Sequence, residues 1–343
     1  MPEIPSVVIA SPVRGPSLRN PPILVAGITR SGSSWVGKML QASGQVVYVN
    51  EPLNIRHSRG VLLRNPAACR YPYLTPENDA EYLHSFERLV RLDPPLWSAM
   101  RQGYWPADFS RAIKYSKDFL VGRIRGRRAL LKDPLASFSM PWFIQRLGCD
   151  VAVIVRHPAS VVSSHKHLGW TMDFDHLLRQ RQLCQDWLGP FVEEMTEMLK
   201  SPKDVVGQTS LLWRIIYHVA TEQKKKLPSI EIVRYEDLAL DPVSQYSRLY
   251  SKLGLSMSEA ARKAIERATS GASKRQSFAW SVSLTDATRT SFRPMDSRAN
   301  VVNSKKNLSD EEMLRIRRLT EDVASLYYSD QDWPIKPAAL TLK

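Results

Sequence analysis

The residues most suited to chemistry lie in a turn of small residues near the start of the chain, Gly27 to Ser33, which holds one cation, Arg30. The apolar run before it, 23–26, has the composition of a buried parallel strand, and from Ser34 onward the apolar positions have helical spacing. A glycine turn between a strand and a helix points backbone N–H groups and a helix N-terminus at one place. This arrangement favours the binding of a phosphate or a related anion.

The turn departs from the loop that binds nucleoside triphosphates. Gly27 and Gly32 have the Walker A spacing, but Ser33 stands where that motif has its lysine. The cation lies earlier, at Arg30. This departure weakens a kinase or ATPase interpretation, although an ATP-dependent phosphotransferase remains an alternative, as does a glycine turn that binds nothing.

A carboxylate follows the second predicted strand. Glu51 comes just after residues 45–49, at the end of a strand, where open α/β sheets bind their ligands. A carboxylate there can accept the proton of a reacting hydroxyl group. The alternative is a loop carboxylate that caps a helix or pairs with Arg56 or Arg59.

A second strand–turn–helix unit begins with the apolar run 150–155. Arg156 follows the strand, and Ser164 lies eight residues later (164 − 156 = 8), about two turns into the next predicted helix. A guanidinium fork and a hydroxyl group suit a phosphate monoester.

These motifs together resemble those of sulfotransferases that use PAPS (3′-phosphoadenosine 5′-phosphosulfate), in particular the bacterial and carbohydrate-acting types. The 5′-phosphosulfate loop of that family is similar to the six residues Arg30, Ser31, Gly32, Ser33, Ser34 and Trp35, with Arg30 in place of the usual lysine. Its 3′-phosphate element resembles Arg156-His157-Pro158 with Ser164. Its strand before Tyr-Glu-Asp-Leu resembles 230–234, and the resemblance implies that Tyr235 and Trp35 flank the adenine.

The resemblance also implies catalytic roles. Lys132, in the sequence Lys-Asp-Pro, corresponds to the lysine that contacts the sulfate in cytosolic members, but Pro134 stands where those members have their catalytic histidine. Members with Lys-Asp-Pro tend to use a glutamate about twenty residues after the loop cation, and Glu51 lies 51 − 30 = 21 residues after Arg30. Glu51 is therefore the expected base, with Arg30 and Lys132 neutralising charge. An inactive enzyme is the alternative.

The implied reaction transfers a sulfuryl group from PAPS to a hydroxyl of a carbohydrate, glycolipid or other small metabolite, with PAP as the product and no metal required. In the family a basic loop closes over the cofactor, and Arg298, Lys305 and Lys306 are its candidates here. A metal site is not expected, because His165 and His167, two residues apart, do not share a helix face.

The predicted fold is α/β, with a P-loop-like central parallel sheet flanked by helices in a single domain. We expect an N-terminal extension over 1–20, a sulfotransferase domain over 21–330 and a C-terminal tail over 331–343. Within the domain, 55–128 is predicted as a helical or irregular insert near the acceptor site, and 270–306 as a loop that covers the cofactor. Residues 177–200 are predicted to form one helix.

Composition narrows the alternatives. The 343 residues carry a formal net charge of +14, which leaves a nucleic-acid-binding protein as the non-enzymatic alternative. Zinc-finger, helix-turn-helix and RNP patterns are absent from the sequence, so we expect a small-molecule acceptor rather than nucleic acid. No apolar run approaches the length of a membrane span. Three widely spaced cysteines and no recognisable secretion signal predict a cytoplasmic protein; oligomeric state stays open.

Overall fold

A computed structural model of the chain describes residues 20–54, 62–63, 69–95, 106–269, 301 and 307–333. For residues 106–111 it describes the backbone only. The predicted extension before residue 20, most of the predicted loop 270–306 and part of the predicted insert 55–128 lie outside the described residues. So do the three cationic candidates of that loop, Arg298, Lys305 and Lys306.

Five parallel strands form the central sheet, which confirms the predicted fold class. They are β1 (Ile23–Ala26), β2 (Val46–Asn50), β3 (Arg128–Lys132), β4 (Asp150–Val155) and β5 (Glu231–Arg234). Their order across the sheet is β2-β3-β1-β4-β5. β1 is buried throughout and β4 at every position after its first residue, as strands covered on both faces must be.

Helices cover both faces of the sheet. Those of the described ranges are α1 (Ser33–Gln41), α2 (Leu83–Val90), α3 (Pro106–Ile124), α4 (Met140–Leu147), α5 (Pro158–Leu168), α6 (Asp175–Leu178), α7 (Arg181–Leu183), α8 (Val192–Leu199), α9 (Val205–Lys226), α10 (Tyr235–Leu240), α11 (Pro242–Lys252), α12 (Glu259–Thr269) and α13 (Asp310–Ala324).

Alternation along the strands divides the core into two layers. On one face, Leu24 and Ala26 pack with the layer that contains α5, α9 and α13. On the other, Ile23 and Val25 pack with α1 and with α10 to α12. Side chains of a strand point alternately to the two faces, so each layer receives every second residue.

The single helix predicted over 177–200 is wrong. The chain there forms α6 and α7, then a π-helical turn over Cys184–Leu188 and a 3₁₀ turn over Gly189–Phe191, before α8 begins. Pro190 has no N–H group to continue a helix. The buried side chain of Trp187 is also fixed by a hydrogen bond, in which its Nε1 donates to the Tyr73 hydroxyl at 3.0 Å.

Among the helices of the described ranges, none combines the length and the apolar character that crossing a bilayer requires.

Candidate active site

The strand order aligns the predicted site residues along one edge of the sheet. In the register of the sheet, Lys132 lies opposite both Asn50 of β2 and Val25 of β1, and Val155 lies opposite Arg234. The carboxyl ends of all five strands therefore meet at the same edge, where α/β proteins bind ligands. Read across that edge, the residues are Glu51, Lys132, the turn Gly27–Ser33, Arg156 and Tyr235. With strands about 4.8 Å apart, this row spans about 19 Å.

The turn after β1 is fixed by hydrogen bonds from its backbone to two buried hydroxyl groups. The Gly27 N–H donates to Ser137 Oγ at 3.3 Å, and the Ile28 N–H donates to the Tyr217 hydroxyl at 3.4 Å. Gly27 has φ 129°, and a Cβ there would lie 2.5 Å from the Ile154 carbonyl oxygen. Only glycine fits this position, because both the backbone conformation and the space exclude a side chain.

The N-terminus of α1 is open to an anion. Gly32 caps the helix with φ 95° and provides no side-chain acceptor. The first N–H groups of a helix, here those of Ser33 and Ser34, have no partner within the helix and form its positive end. Ser31 Oγ is buried and has no hydrogen-bond partner among the described residues. These groups together suit an anionic oxygen.

Two arginines meet beside this helix end. Arg30 Nε donates to Ser164 Oγ at 2.9 Å, and Arg156 Nη1 donates to the Arg30 carbonyl oxygen at 3.2 Å. Burial lowers the pKa of Arg30, and the neighbouring charge of Arg156 lowers it further. In the described part of the chain neither guanidinium has a carboxylate at ion-pair distance, and Arg156 Nε is buried without a hydrogen-bond partner. Two adjacent cations without a counter-charge form a site for a polyanion.

The two aromatic residues predicted to flank an adenine lie against each other. The rings of Trp35 and Tyr235 pack edge to face with centroids 5.3 Å apart, and both side chains are buried. The Tyr235 ring also supports the turn and the cation, since a Cβ on Gly32 would lie 2.6 Å from its Cε2 and the Arg156 guanidinium lies 4.6 Å from its centroid. An adenine cannot lie between two rings that are already in contact, so it would have to bind at the outer edges of Trp35 and Tyr235. Their role in adenine binding stays a prediction.

Glu51 and Lys132 form an ion pair at the other end of the row. Lys132 Nζ donates to Glu51 Oε1, and Asn54 Nδ2 donates to Glu51 Oε2 at 2.6 Å. The side chain of Lys132 is 1% exposed and that of Glu51 is 17% exposed, so the carboxylate is the member of the pair that reaches solvent. The alternative partners Arg56 and Arg59 both lie outside the described residues.

Sequence reasoning missed the supporting role of Asp133. This buried residue accepts hydrogen bonds from the N–H groups of Leu53, at 2.7 Å, and Leu135, at 3.0 Å. It thereby holds the turn that carries Glu51, whose φ of 46° is rare for a residue with a side chain. Burial, followed by the charge of Glu51, raises the pKa of Asp133 to about 7. The Lys-Asp-Pro sequence was a signal for this residue.

A buried histidine beneath Arg30 was also missed as part of the site. His165 Nε2 lies 3.2 Å from both the hydroxyl and the carbonyl oxygen of Thr29, and Nδ1 lies 3.4 Å from Thr209 Oγ1. The Tyr71 hydroxyl donates to Thr29 Oγ1 at 3.5 Å. Burial lowers the pKa of His165 to about 4, so the ring is neutral and fixes Thr29, the residue before Arg30.

The start of α5, the helix that carries Ser164, is anchored by Glu236 and by two aromatic residues near the C-terminal end of the described ranges. The His157 N–H donates to Glu236 Oε1 at 3.0 Å, and the Tyr328 hydroxyl donates to Glu236 Oε2 at 3.0 Å. The His157 ring packs against those of Tyr328 and Trp333. These contacts fix the start of α5, and therefore the position of Arg156.

Groups of three or more His, Cys, Asp and Glu side chains arranged to hold a metal ion do not occur in the described ranges.

Comparison with protein families matches residues 20–327 to the model described as Sulfotransferase domain. No curated protein matches the chain.

Several solved structures resemble it at low identity. The sulfotransferase domain from the Synechococcus PCC 7002 olefin synthase is 17% identical over 92% of this chain and 98% of that chain, with a TM-score of 0.44. Mouse sulfotransferase SULT7A1 complexed with PAP is 15% identical over 92% and 88%, with a TM-score of 0.47. Retinol dehydratase in a complex with retinol and PAP is 15% identical over 91% and 83%, with a TM-score of 0.41.

Proposed function

Because the chain belongs to the sulfotransferase family of enzymes, we propose that it transfers a sulfuryl group from PAPS to the hydroxyl group of a small acceptor. The observation that carries this proposal is the meeting of Arg30 and Arg156 beside the open N-terminus of α1. Two cations at adjacent strand ends, with no carboxylate partner among the described residues, suit an adenosine that carries negative charge on both its 3′ and 5′ positions.

The residues present fit such a donor. Ser31 Oγ and Arg156 Nε are buried polar atoms without partners in the described ranges, and a ligand oxygen would satisfy both. Arg156 and Ser164 would hold the 3′-phosphate, while Arg30 and the N–H groups of residues 31–34 would hold the 5′ end. When bound, PAPS supplies the activated sulfuryl group.

Arg30 and the N-terminus of α1 stabilise negative charge that develops on the transferring and leaving groups. Fixed donors of this kind contribute most when they are already oriented before the reaction. The hydrogen bond from Arg30 Nε to Ser164 and the Thr29–His165 contacts provide that orientation. Removing one such donor should lower the rate about 100-fold or more.

Glu51 accepts the proton of the acceptor hydroxyl at its carboxylate. Lys132 and Asn54 each bind one of its oxygens, which fixes the carboxylate plane, and Asp133 holds the turn that presents it. Lys132, at the end of β3, also places a positive charge between Glu51 and the turn after β1.

The acceptor would lie beside Glu51. Asn54 contacts the Glu51 carboxylate, and Tyr71, with Arg70 next to it, is close enough to Glu51 to be influenced by its charge. Hydrogen-bond donors and acceptors side by side suit a substrate rich in hydroxyl groups. This supports a carbohydrate, a glycolipid headgroup or another small metabolite as the acceptor. The three cysteines are free thiols, which supports a cytoplasmic setting.

The test is a transfer assay with the full chain, either sulfur-labelled PAPS or phosphate-labelled ATP, and a panel of carbohydrate, glycolipid and phenol acceptors, run once with Mg²⁺ and once in EDTA. We expect label to move to an acceptor as 3′,5′-ADP is released. Transfer of labelled phosphate from ATP, with none of sulfur from PAPS, would instead identify a phosphotransferase.

A further inference from the structure

Helix α3 exposes an apolar stripe. Six large apolar side chains are exposed in the described part of the chain, and three of them lie on this helix: Ile113 at 48%, Leu120 at 53% and Ile124 at 77%. Spacings of seven and four residues place the three within about 40° of one another around the helix axis. The other three, Leu199, Leu240 and Leu326, belong to separate parts of the chain. Isolated exposed leucines are ordinary on a protein surface, whereas a contiguous stripe marks an interaction site.

The opposite face of α3 is fixed against the sheet. Ala112 and Phe119 are fully buried, and Gly122 lies so close to the edge strand that a Cβ there would overlap Val47 of β2. The helix therefore has a packed inner face and a separate outer one. The stripe of Ile113, Leu120 and Ile124, which we call the α3 stripe, lies on the outer face.

Basic residues surround the stripe. Lys114, Lys117, Arg123 and Arg125 are exposed on or directly after the helix, and Arg123 pairs with Asp93 at 3.0 Å. Asp118 is the single acidic residue between 112 and 125. An outer face with aliphatic residues along its centre and cations at its sides combines apolar burial with attraction to negative charge.

We propose that the α3 stripe docks the protein on the surface of an anionic lipid bilayer. Aliphatic side chains inserted at the headgroup boundary, flanked by Lys and Arg near the phosphates, are the features of helices that lie in a membrane interface. A second copy of the chain is a poorer occupant, because two such faces would bring like charges together. A protein partner is also disfavoured, since the stripe is convex and lacks the Trp and Tyr that dominate protein–protein contacts. This proposal is independent of the sulfuryl transfer.

Vesicle flotation with the full chain tests the proposal. We expect binding to vesicles of phosphatidylcholine with about 30% phosphatidylserine, and at least about tenfold weaker binding to phosphatidylcholine alone. The triple variant Ile113→Ser, Leu120→Ser, Ile124→Ser should bind the anionic vesicles about 100-fold more weakly. The double variant Lys114→Gln, Lys117→Gln should bind about 20-fold more weakly.

A matched control replaces the three isolated exposed leucines instead. Leu199→Ser, Leu240→Ser, Leu326→Ser removes as many apolar side chains outside the stripe and should bind vesicles like the wild type. Equal binding to both vesicle types, no binding by the wild type, or unchanged binding by the stripe variant would overturn the proposal. So would a concentration-dependent dimer that the stripe variant abolishes, or a marked fall in its melting temperature, which would mean that the chain itself covers the stripe.

Discussion

At the scale of single residues, the site holds an arrangement that is unfavourable without a ligand. Arg30 and Arg156 are adjacent like charges, both partly removed from water, and the lowered pKa of Arg30 reflects burial first and Arg156 second. Such a pair persists because the surrounding contacts hold it, and because a bound polyanion would neutralise it.

Replacing Arg156 tests whether this residue binds the 3′ end of the proposed nucleotide. We expect Arg156→Ala to weaken binding of 3′,5′-ADP at least about tenfold, since the variant would remove the charged hydrogen-bond partner proposed for the 3′-phosphate, and to change binding of 5′-AMP little. Calorimetric titration with both nucleotides measures this. Arg262→Ala, which breaks an exposed ion pair on α12, is the control and should affect neither. An equal loss for both nucleotides would contradict the assignment of Arg156 to the 3′ end.

Replacing Glu51 tests the proposed base. Glu51→Gln preserves size but removes the proton acceptor, so the transfer rate should fall about 10²- to 10⁴-fold while 3′,5′-ADP binds as before. Steady-state kinetics and nucleotide titration together distinguish these effects. The exposed Glu81→Gln serves as the control, and a variant at Glu51 with an unchanged rate would exclude it as the base.

His165 links the site to acid stability. Its folded pKa of about 4 lies below the ordinary value of about 6.5, so between these pH values the unfolded chain binds a proton that the folded chain does not. Stability from this group is present above the ordinary pKa and falls as pH is lowered. From about pH 7 to about pH 5, His165→Gln should lose about 2 kcal/mol less than the wild type in the free energy of unfolding, measured with urea.

Asp133 should change the free energy of unfolding with pH in the opposite direction to His165, so the two residues form a matched comparison. Its folded pKa of about 7 exceeds the ordinary value of about 3.9, so the folded chain takes up the proton first and gains stability as pH is lowered. Asp133→Asn should therefore lose about 2 kcal/mol more than the wild type over the same pH step. Equal pH dependence of all three proteins would show that neither group is buried as described.

At the scale of elements, the turn before α1 depends on its contact with Tyr235. In Gly32→Ala the new methyl group would meet both a φ of 95° and the Tyr235 ring, so we expect a cost of about 2 kcal/mol or more and loss of stabilisation by 3′,5′-ADP. Gly148→Ala is the control: its φ is 65°, but nothing lies within 4 Å of the added carbon. Thermal unfolding with and without the nucleotide should show that Gly148→Ala loses less stability than Gly32→Ala and binds 3′,5′-ADP normally. If both variants bind equally, the turn does not form the nucleotide site.

The apolar pattern of the sequence predicted the strands well where the strand is buried on both faces. The apolar runs of β1 and β4 have the expected bounds, and the common carboxyl edge of the parallel strands brought Arg30, Arg156 and Ser164 together as expected. Arg30 and Arg156 follow adjacent strands, so topology alone makes them neighbours. Their roles toward a nucleotide stay predictions.

The rest depended on contacts between distant parts of the chain. The ion pair of Lys132 with Glu51 and the support of Thr29 by His165 join residues far apart in sequence, and no local spacing indicates them. The helix predicted over 177–200 failed because Pro190 and the packing of Trp187 override its helical pattern.

At the scale of the whole molecule, a five-stranded sheet with two core layers holds one row of candidate site residues along its carboxyl edge. Glu51 and Lys132 lie at one end, Arg156 and Tyr235 at the other, and the turn after β1 lies between them. On the proposed assignment of these residues, an acceptor and a donor would approach the centre of the row from opposite sides. The net charge of +14 favours the approach of an anionic donor.

The most direct test of this account is the thermal stability of the full chain with 3′,5′-ADP, 5′-AMP or ATP in EDTA. A ligand at 100 times its dissociation constant stabilises the folded state by about 2.7 kcal/mol. We predict that 3′,5′-ADP raises the melting temperature at concentrations where 5′-AMP and ATP have little effect. Stabilisation by ATP with none by 3′,5′-ADP would contradict the account.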